Sequence, residues 1–263
     1  MRKILVLIVA ALCYFCTYSQ EANTSDNVPV LIIAPRFDVN PYIPTGSKGL
    51  NGVDFGNSSL CTLLEGSIGE NFSYSMCNHW VTTDTASLYQ DILRTDQSDF
   101  IDWLTLSYTV GQFTFNAGKD VLAIGSAEYS YNDVDIHYPL ASTFWHKNAA
   151  YQWGASVDFT TKEENTTLRL QFASSPFAER PFASKLFAYS LHWTGEYGCF
   201  TPFWSANFFE YERGKFVNLI ALGNAFYFGD FTLEVDYMNR ASSVKRFFNQ
   251  EWSISGQLLY NYA

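Results

Sequence analysis

The stretch Ala149–Phe172, AAYQWGASVDFTTKEENTTLRLQF, decides the fold. Its first half alternates strictly. Tyr151, Trp153, Ala155, Val157 and Phe159 share one face, and Gln152, Gly154, Ser156 and Asp158 share the other. Successive side chains of an extended chain point to opposite sides, so this is a strand with one apolar and one polar face. After the polar turn Thr160–Asn165 the pattern returns, with Leu168, Leu170 and Phe172 opposing Thr167, Arg169 and Gln171. A base near the middle of a bilayer costs about 2–4 kcal/mol on the lipid side of a strand, so the polar face is the inner one.

The same grammar runs along the chain. Tight connections at Ile68–Asn71, Gly111–Gln112, Thr160–Asn165, Gly195–Gly198 and Gly229–Asp230 alternate with others at Pro41–Asn57, Val81–Phe100, Leu122–Asn148, Ser175–Lys185, Tyr211–Lys215 and Ala241–Asn249. The second set is mostly longer. Sorting of connections by parity is the organisation of an antiparallel transmembrane β-barrel, with short periplasmic turns and longer outside loops. About twelve strands are present, the last at Trp252–Tyr260. Inward positions are expected to include Trp103, Thr105 and Ser107, Ser190 and His192, and Thr232, Glu234 and Asp236. Cys199–Glu210 and Phe216–Phe228 are apolar on both faces, so alternation leaves their direction open. Polar inner faces of this kind call for a water-filled lumen.

Export is expected from residues 1–19. Arg2 and Lys3 precede the apolar run Ile4–Leu12, too short to span a bilayer, and Thr17 and Ser19 supply small residues before Gln20. Residues 20–263 then form one barrel domain. Removing Arg2 and Lys3 leaves 14 of the 16 bases against all 26 acids, a net charge of about −12. That balance excludes nucleic acid as a partner. Aromatic residues make up 18% of the chain, as the interfacial girdles of a barrel require. Cys61, Cys77 and Cys199 are too few for a disulfide framework, and Cys61 and Cys77 read as ordinary buried thiols.

The order and spacing of several motifs carry a family resemblance. They are WLTLSYTVGQFTFNAGKDVLAIGSAEYSYNDVDIHYP (Trp103–Pro139), YQWGASVDF (Tyr151–Phe159), TLRLQFASSPF (Thr167–Phe177), EYERGKFVNLIALGNAF (Glu210–Phe226) and TLEVDYMNRA (Thr232–Ala241). Together the chain resembles the phosphate-selective porin O and P family of Gram-negative outer membranes. The resemblance implies a sixteen-stranded porin, of which this chain would supply about twelve strands. It also implies an outer-membrane location, passive diffusion of small hydrophilic solutes or ions, no cofactor, no catalysis, and assembly as a homotrimer in outer-membrane lipid. The third outside connection, Leu122–Asn148, would fold inward and narrow the channel. Lys119 and Asp120 lead into it, and Gly125, Ser126, Glu128, Asp133, Asp135, His137, His146 and Lys147 lie along it. With the inward charges Asp158, Arg169, Glu234 and Asp236, these are the expected pore-lining and constriction residues. Acids outnumber bases among them, against the anion preference in the family's name. An outer-membrane barrel enzyme and a secreted soluble β-domain binding carbohydrate are the alternatives. No nucleophile–histidine motif, calcium loop or zinc motif supports the first. Loop parity speaks against the second.

Overall fold

The computed structural model describes residues 28–37, 40–42, 52–54, 58–82, 101–130, 142, 144, 149–241 and 251–260. Residues 1–19, expected to be the leader, lie outside this set, as do Asp133, Asp135, His137, His146 and Lys147. The strands are β1 (Val30–Arg36), β2 (Asn40–Tyr42), β3 (Gly52–Asp54), β4 (Ser59–Ile68), β5 (Phe72–Thr82), β6 (Ile101–Val110) and β7 (Phe113–Val121). They continue with β8 (Tyr151–Thr160), β9 (Thr166–Ser174), β10 (Phe187–Gly195), β11 (Phe200–Glu212), β12 (Lys215–Phe228), β13 (Phe231–Ala241) and β14 (Trp252–Tyr260). Twelve of them form one sheet in the order β1-β4-β5 through to β14, and β2 and β3 make a separate two-stranded ribbon. Every neighbour pair is antiparallel. The chain is thus all-β, an antiparallel meander of the kind that builds barrels.

Turn chemistry places the short connections on one end of the sheet. Gly69, Gly111, Gly198 and Gly229 all take positive φ at tight turns on that end, where a side chain would be strained. The connection between β11 and β12 is just as tight, with Gly214 at φ 76°, so not every connection on the opposite end is long.

Alternation along the strands gives the sheet two unlike faces. On one, Leu104, Leu106, Phe113, Phe115, Leu168, Leu170, Phe172, Tyr189 and Leu191 stand exposed. An apolar face this extensive implies contact with a membrane or a partner. Aromatic pairs line its turn end: Phe72 with Tyr108, Phe113 with Phe159, Phe200 with Phe226, and Phe231 with Tyr260, at centroid distances of 4.7, 5.3, 5.2 and 4.8 Å. Each is a cross-strand pair, the unit that stabilises a sheet surface. On the other face the inward residues of β8, Gln152, Ser156 and Asp158, are buried.

The inner face is not polar throughout. Ala173, Ala188, Phe209, Leu219, Ala221 and Met238 form a buried apolar cluster with Leu122, Ile124 and Tyr129. Phe209 lies opposite Val217 and Asn207 opposite Leu219, which settles the direction that alternation left open for β11 and β12. Both of their faces are apolar because one meets the outside and the other receives the segment after β7. The polar inner face expected of the other strands thus gives way to an apolar seat on β11 and β12.

A second correction concerns the upper ends of β7 and β8. Gly118 and Gly154 are cross-strand partners. A Cβ on Gly118 would stand 2.0 Å from the Leu104 carbonyl oxygen, and one on Gly154 would stand 2.3 Å from the Phe172 carbonyl oxygen. Gly118 also sits at φ 137°. The backbones of β6 and β9 therefore close on this glycine pair. Beyond it Tyr151, expected to face outward, packs against the inner apolar cluster and stacks on Trp103 at 5.9 Å.

Cys61 and Cys77 are buried and are not joined in a disulfide. Cys61 lies opposite His79 and Cys77 opposite Leu63, so the two are offset along the hairpin.

The glycine pair sets a test. Gly118→Ala should prevent native folding, read as loss of the heat-modifiable band and a lowered thermal midpoint. Gly111→Ala, at a turn with open space around it, should cost only about 1–2 kcal/mol. Equal stability of the two variants would contradict the close approach at Gly118.

Candidate functional site: a charged inner wall beneath an inward-folded segment

The site is built from the turn upward. Asp158 and Arg169 each stand two residues from the cross-strand pair Thr160–Thr167, so the hairpin register sets them opposite each other. Arg169 donates from Nε to Asp158 Oδ1 at 2.7 Å and from Nη2 to Asp158 Oδ2 at 2.8 Å. This paired geometry is the strongest form of ion pair available to a guanidinium. Asn116 on β7 donates to Asp158 Oδ2 and to Ser156 Oγ, both at 3.0 Å, and accepts from Ser107 at 2.6 Å. Arg169 Nη1 lies 3.5 Å from Asp120 Oδ2.

That last contact reports the shape of the sheet. Arg169 lies opposite Asp158, and Asp158 opposite Thr114. In a flat ladder Thr114 and Asp120 would be about 20 Å apart along the strand, beyond any guanidinium. The upper part of β7 is therefore turned inward, as the glycine pair requires. Gln171 confirms the placement by donating to the Val121 carbonyl and accepting from Ala123 N, both at 2.8 Å.

From there the chain crosses the inner face. Gly125 N donates to Ser205 Oγ on β11 at 2.8 Å, and Gly223 N on β12 donates to the Gly125 carbonyl at 2.8 Å. A Cβ at Gly125 would meet the Phe203 carbonyl oxygen at 2.4 Å, so only glycine fits here. Ser126 Oγ donates to Asp236 Oδ2 on β13 at 2.8 Å, and Ala127 N donates to the same carboxylate at 3.0 and 3.2 Å. Asp236 thus caps the single helical turn Ala127–Tyr129. Within the five residues Ala123 to Ala127 the segment touches β9, β11, β12 and β13. The sheet curls around the segment.

Beneath this crossing lies a cavity of about 380 Å³ that reaches the turn end. Arg169, His192, Thr167, Thr194 and Phe203 line it, and Ile124 and Tyr129 line it on the segment's side. Burial and the neighbouring Glu128 carboxylate hold the Tyr129 phenol well above its usual pKa, so it stays neutral.

The expected site residues divide. Asp120, Asp158 and Arg169 come together as one network. Asp236 is on the inner face but is occupied by the segment, and Glu234 is buried two positions along the same strand. Glu128 accepts from Ser142 N and Oγ at 2.7 and 2.5 Å, holding the connection to itself. Lys119 lies apart. It pairs in register with Leu104 and Trp153, and its ammonium donates to the Ile101 carbonyl at 2.5 Å. Asp133, Asp135 and His137 lie outside the described residues. Sequence reasoning passed over Asn116, His192 and Ser205 as site members. Alternation assigned Asp158 and Arg169 to the inner face, whereas their opposition and the approach of Asn116, His192 and Ser205 to the site depend on strand register.

No protein-family model matches the chain, and no curated protein matches it. The resemblance to the phosphate-selective porin family therefore stands on the motifs alone. Among solved structures the chain is similar to OmpTdeltaL8, a loop L8 deletion mutant of OmpT, an outer membrane protein of Vibrio cholerae. The identity is 8% and the TM-score 0.48, over 87% of this chain and 71% of that one. It is also similar to a BenF-like porin from Pseudomonas fluorescens Pf-5, at 10% identity and a TM-score of 0.33, over 80% of this chain and 66% of that one.

The seat of the segment is testable by thiol accessibility. Ile124 is 2% exposed. In a Cys199→Ser background, Ile124→Cys should resist a maleimide reagent, and adding Asp236→Ala should make it reactive. Reactivity at Ile124→Cys without the second change would contradict the seating.

Proposed function

We propose that the protein is an outer-membrane porin through which small hydrophilic solutes or ions diffuse passively, narrowed by the connection that follows β7. The observation that carries this reading is the opposition of the two faces of one curled sheet. The outer face exposes a broad apolar surface with an aromatic border, suited to hydrocarbon and its interface. The inner face holds charged and hydroxyl groups around a cavity that reaches the turn end. A carrier of apolar ligands would line its interior in the reverse sense. The segment Leu122–Ser130 lies across that inner space, held by Ser205, Gly223 and Asp236. A segment so placed narrows the path and sets Arg169, Asp158 and Asp120 beside it, where local charge governs which ions pass. Export by residues 1–19 and assembly as a homotrimer belong to the same reading.

Two measurements test it. Purified protein in a planar bilayer should show discrete conductance steps, and Asp236→Ala should enlarge or destabilise them by releasing the segment. Val157→Arg places a base on the apolar face and should reduce folded protein in the membrane, at about 2–4 kcal/mol near the midplane. Thr109→Arg, on the inner face and solvent-exposed, should be tolerated. Equal yields of the two folded variants would reverse the assignment of the faces.

A further inference from the structure

We infer that the cavity beneath the segment passes cations in preference to anions, an inference that rests on the channel reading above. Arg169 is the one base among the described residues lining the cavity. Carboxylates offset its charge on two sides. Its Nε and Nη2 are spent on Asp158, and Nη1 faces Asp120 at 3.5 Å. One guanidinium against two carboxylates leaves the trio net negative. Asn116 completes the arrangement by donating to Asp158, which holds that carboxylate in the pairing geometry whether or not a solute is present.

The approaches to the cavity carry the same sign. Glu164 and Glu196 lie along its lining beside Thr166 and Thr194, and both are exposed. Lys119 is not part of this lining, and its ammonium is directed to the Ile101 carbonyl. The remaining polar wall is neutral hydroxyl, from Thr167, Thr194 and Thr201, with the buried Nε2 of His192 left without a hydrogen-bond partner in the same wall. A phosphate or other anion entering here would meet a guanidinium whose charge Asp158 and Asp120 already offset. A cation would meet acid at the mouth and hydroxyl oxygen inside, with Asp120 and Asp158 held against Arg169 just behind the lining. In a narrow, low-dielectric passage the nearest fixed charges dominate, since more distant ones are screened within about 8 Å at physiological ionic strength.

The experiment is the zero-current potential of the purified, folded protein in a planar bilayer under a potassium chloride gradient. The unmutated protein should reverse on the potassium side of zero. Asp120→Asn with Asp158→Asn frees Arg169 and should shift the potential toward chloride. Arg169→Ala strips the guanidinium from its carboxylates and should shift it further toward potassium. Asp120→Asn alone keeps the Asp158–Arg169 pair and serves as the folded control, with a smaller shift toward chloride. Chloride preference in the unmutated protein, or no shift in folded Asp120→Asn, would overturn the inference while leaving the channel reading in place. Folded protein that inserts and passes no current would overturn both.

Discussion

Two glycines facing each other across one ladder set the architecture of the interior. Gly118 and Gly154 admit the backbones of β6 and β9 to distances that no Cβ would allow. The sheet turns sharply there, and the ends of β7 and β8 lean over the inner face instead of continuing straight. The consequences follow in sequence. Asp120 reaches Arg169, Gln171 clasps the backbone around Val121–Ala123, and the chain leaves β7 already directed across the interior.

The crossing segment is held by two kinds of force. Leu122, Ile124 and Tyr129 bury against Phe209, Leu219, Ala221 and Met238, which supplies the non-directional part. Position is fixed by hydrogen bonds to Ser205, Gly223 and Asp236. The Asp236 carboxylate meets two backbone or hydroxyl donors at the start of a helical turn, where negative charge is favoured. An acid that alternation assigns simply to the inner wall is thus an anchor, and the free electrostatics of the interior pass to Asp120, Asp158 and the mouth residues.

Division of labour between the strands follows from this. β6 to β10 carry the polar half of the wall, with its bidentate ion pair and hydroxyls. β11 and β12 supply much of the apolar seat on which the segment rests. An interior of uniform polarity would leave the segment without a burial surface, and a uniformly apolar one would leave Asp120, Asp158 and Arg169 without polar surroundings.

The sequence by itself determined the number of strands in the main sheet, their antiparallel order, the end that carries the short turns, and the placement of Asp158 and Arg169 on the same inner face. These are local properties. Side chains alternate with a period of two, and a tight turn fixes the register of the two strands it joins. Only the tertiary structure decided the direction of β11 and β12, whose faces are both apolar, the inward stacking of Tyr151 on Trp103, and the separation of Lys119 from the charged network. It alone joined Ser126 to Asp236, 110 residues later. Those outcomes depend on how far the sheet bends at Gly118 and Gly154, and bending is set by backbones meeting across strands. No pattern within one strand records that.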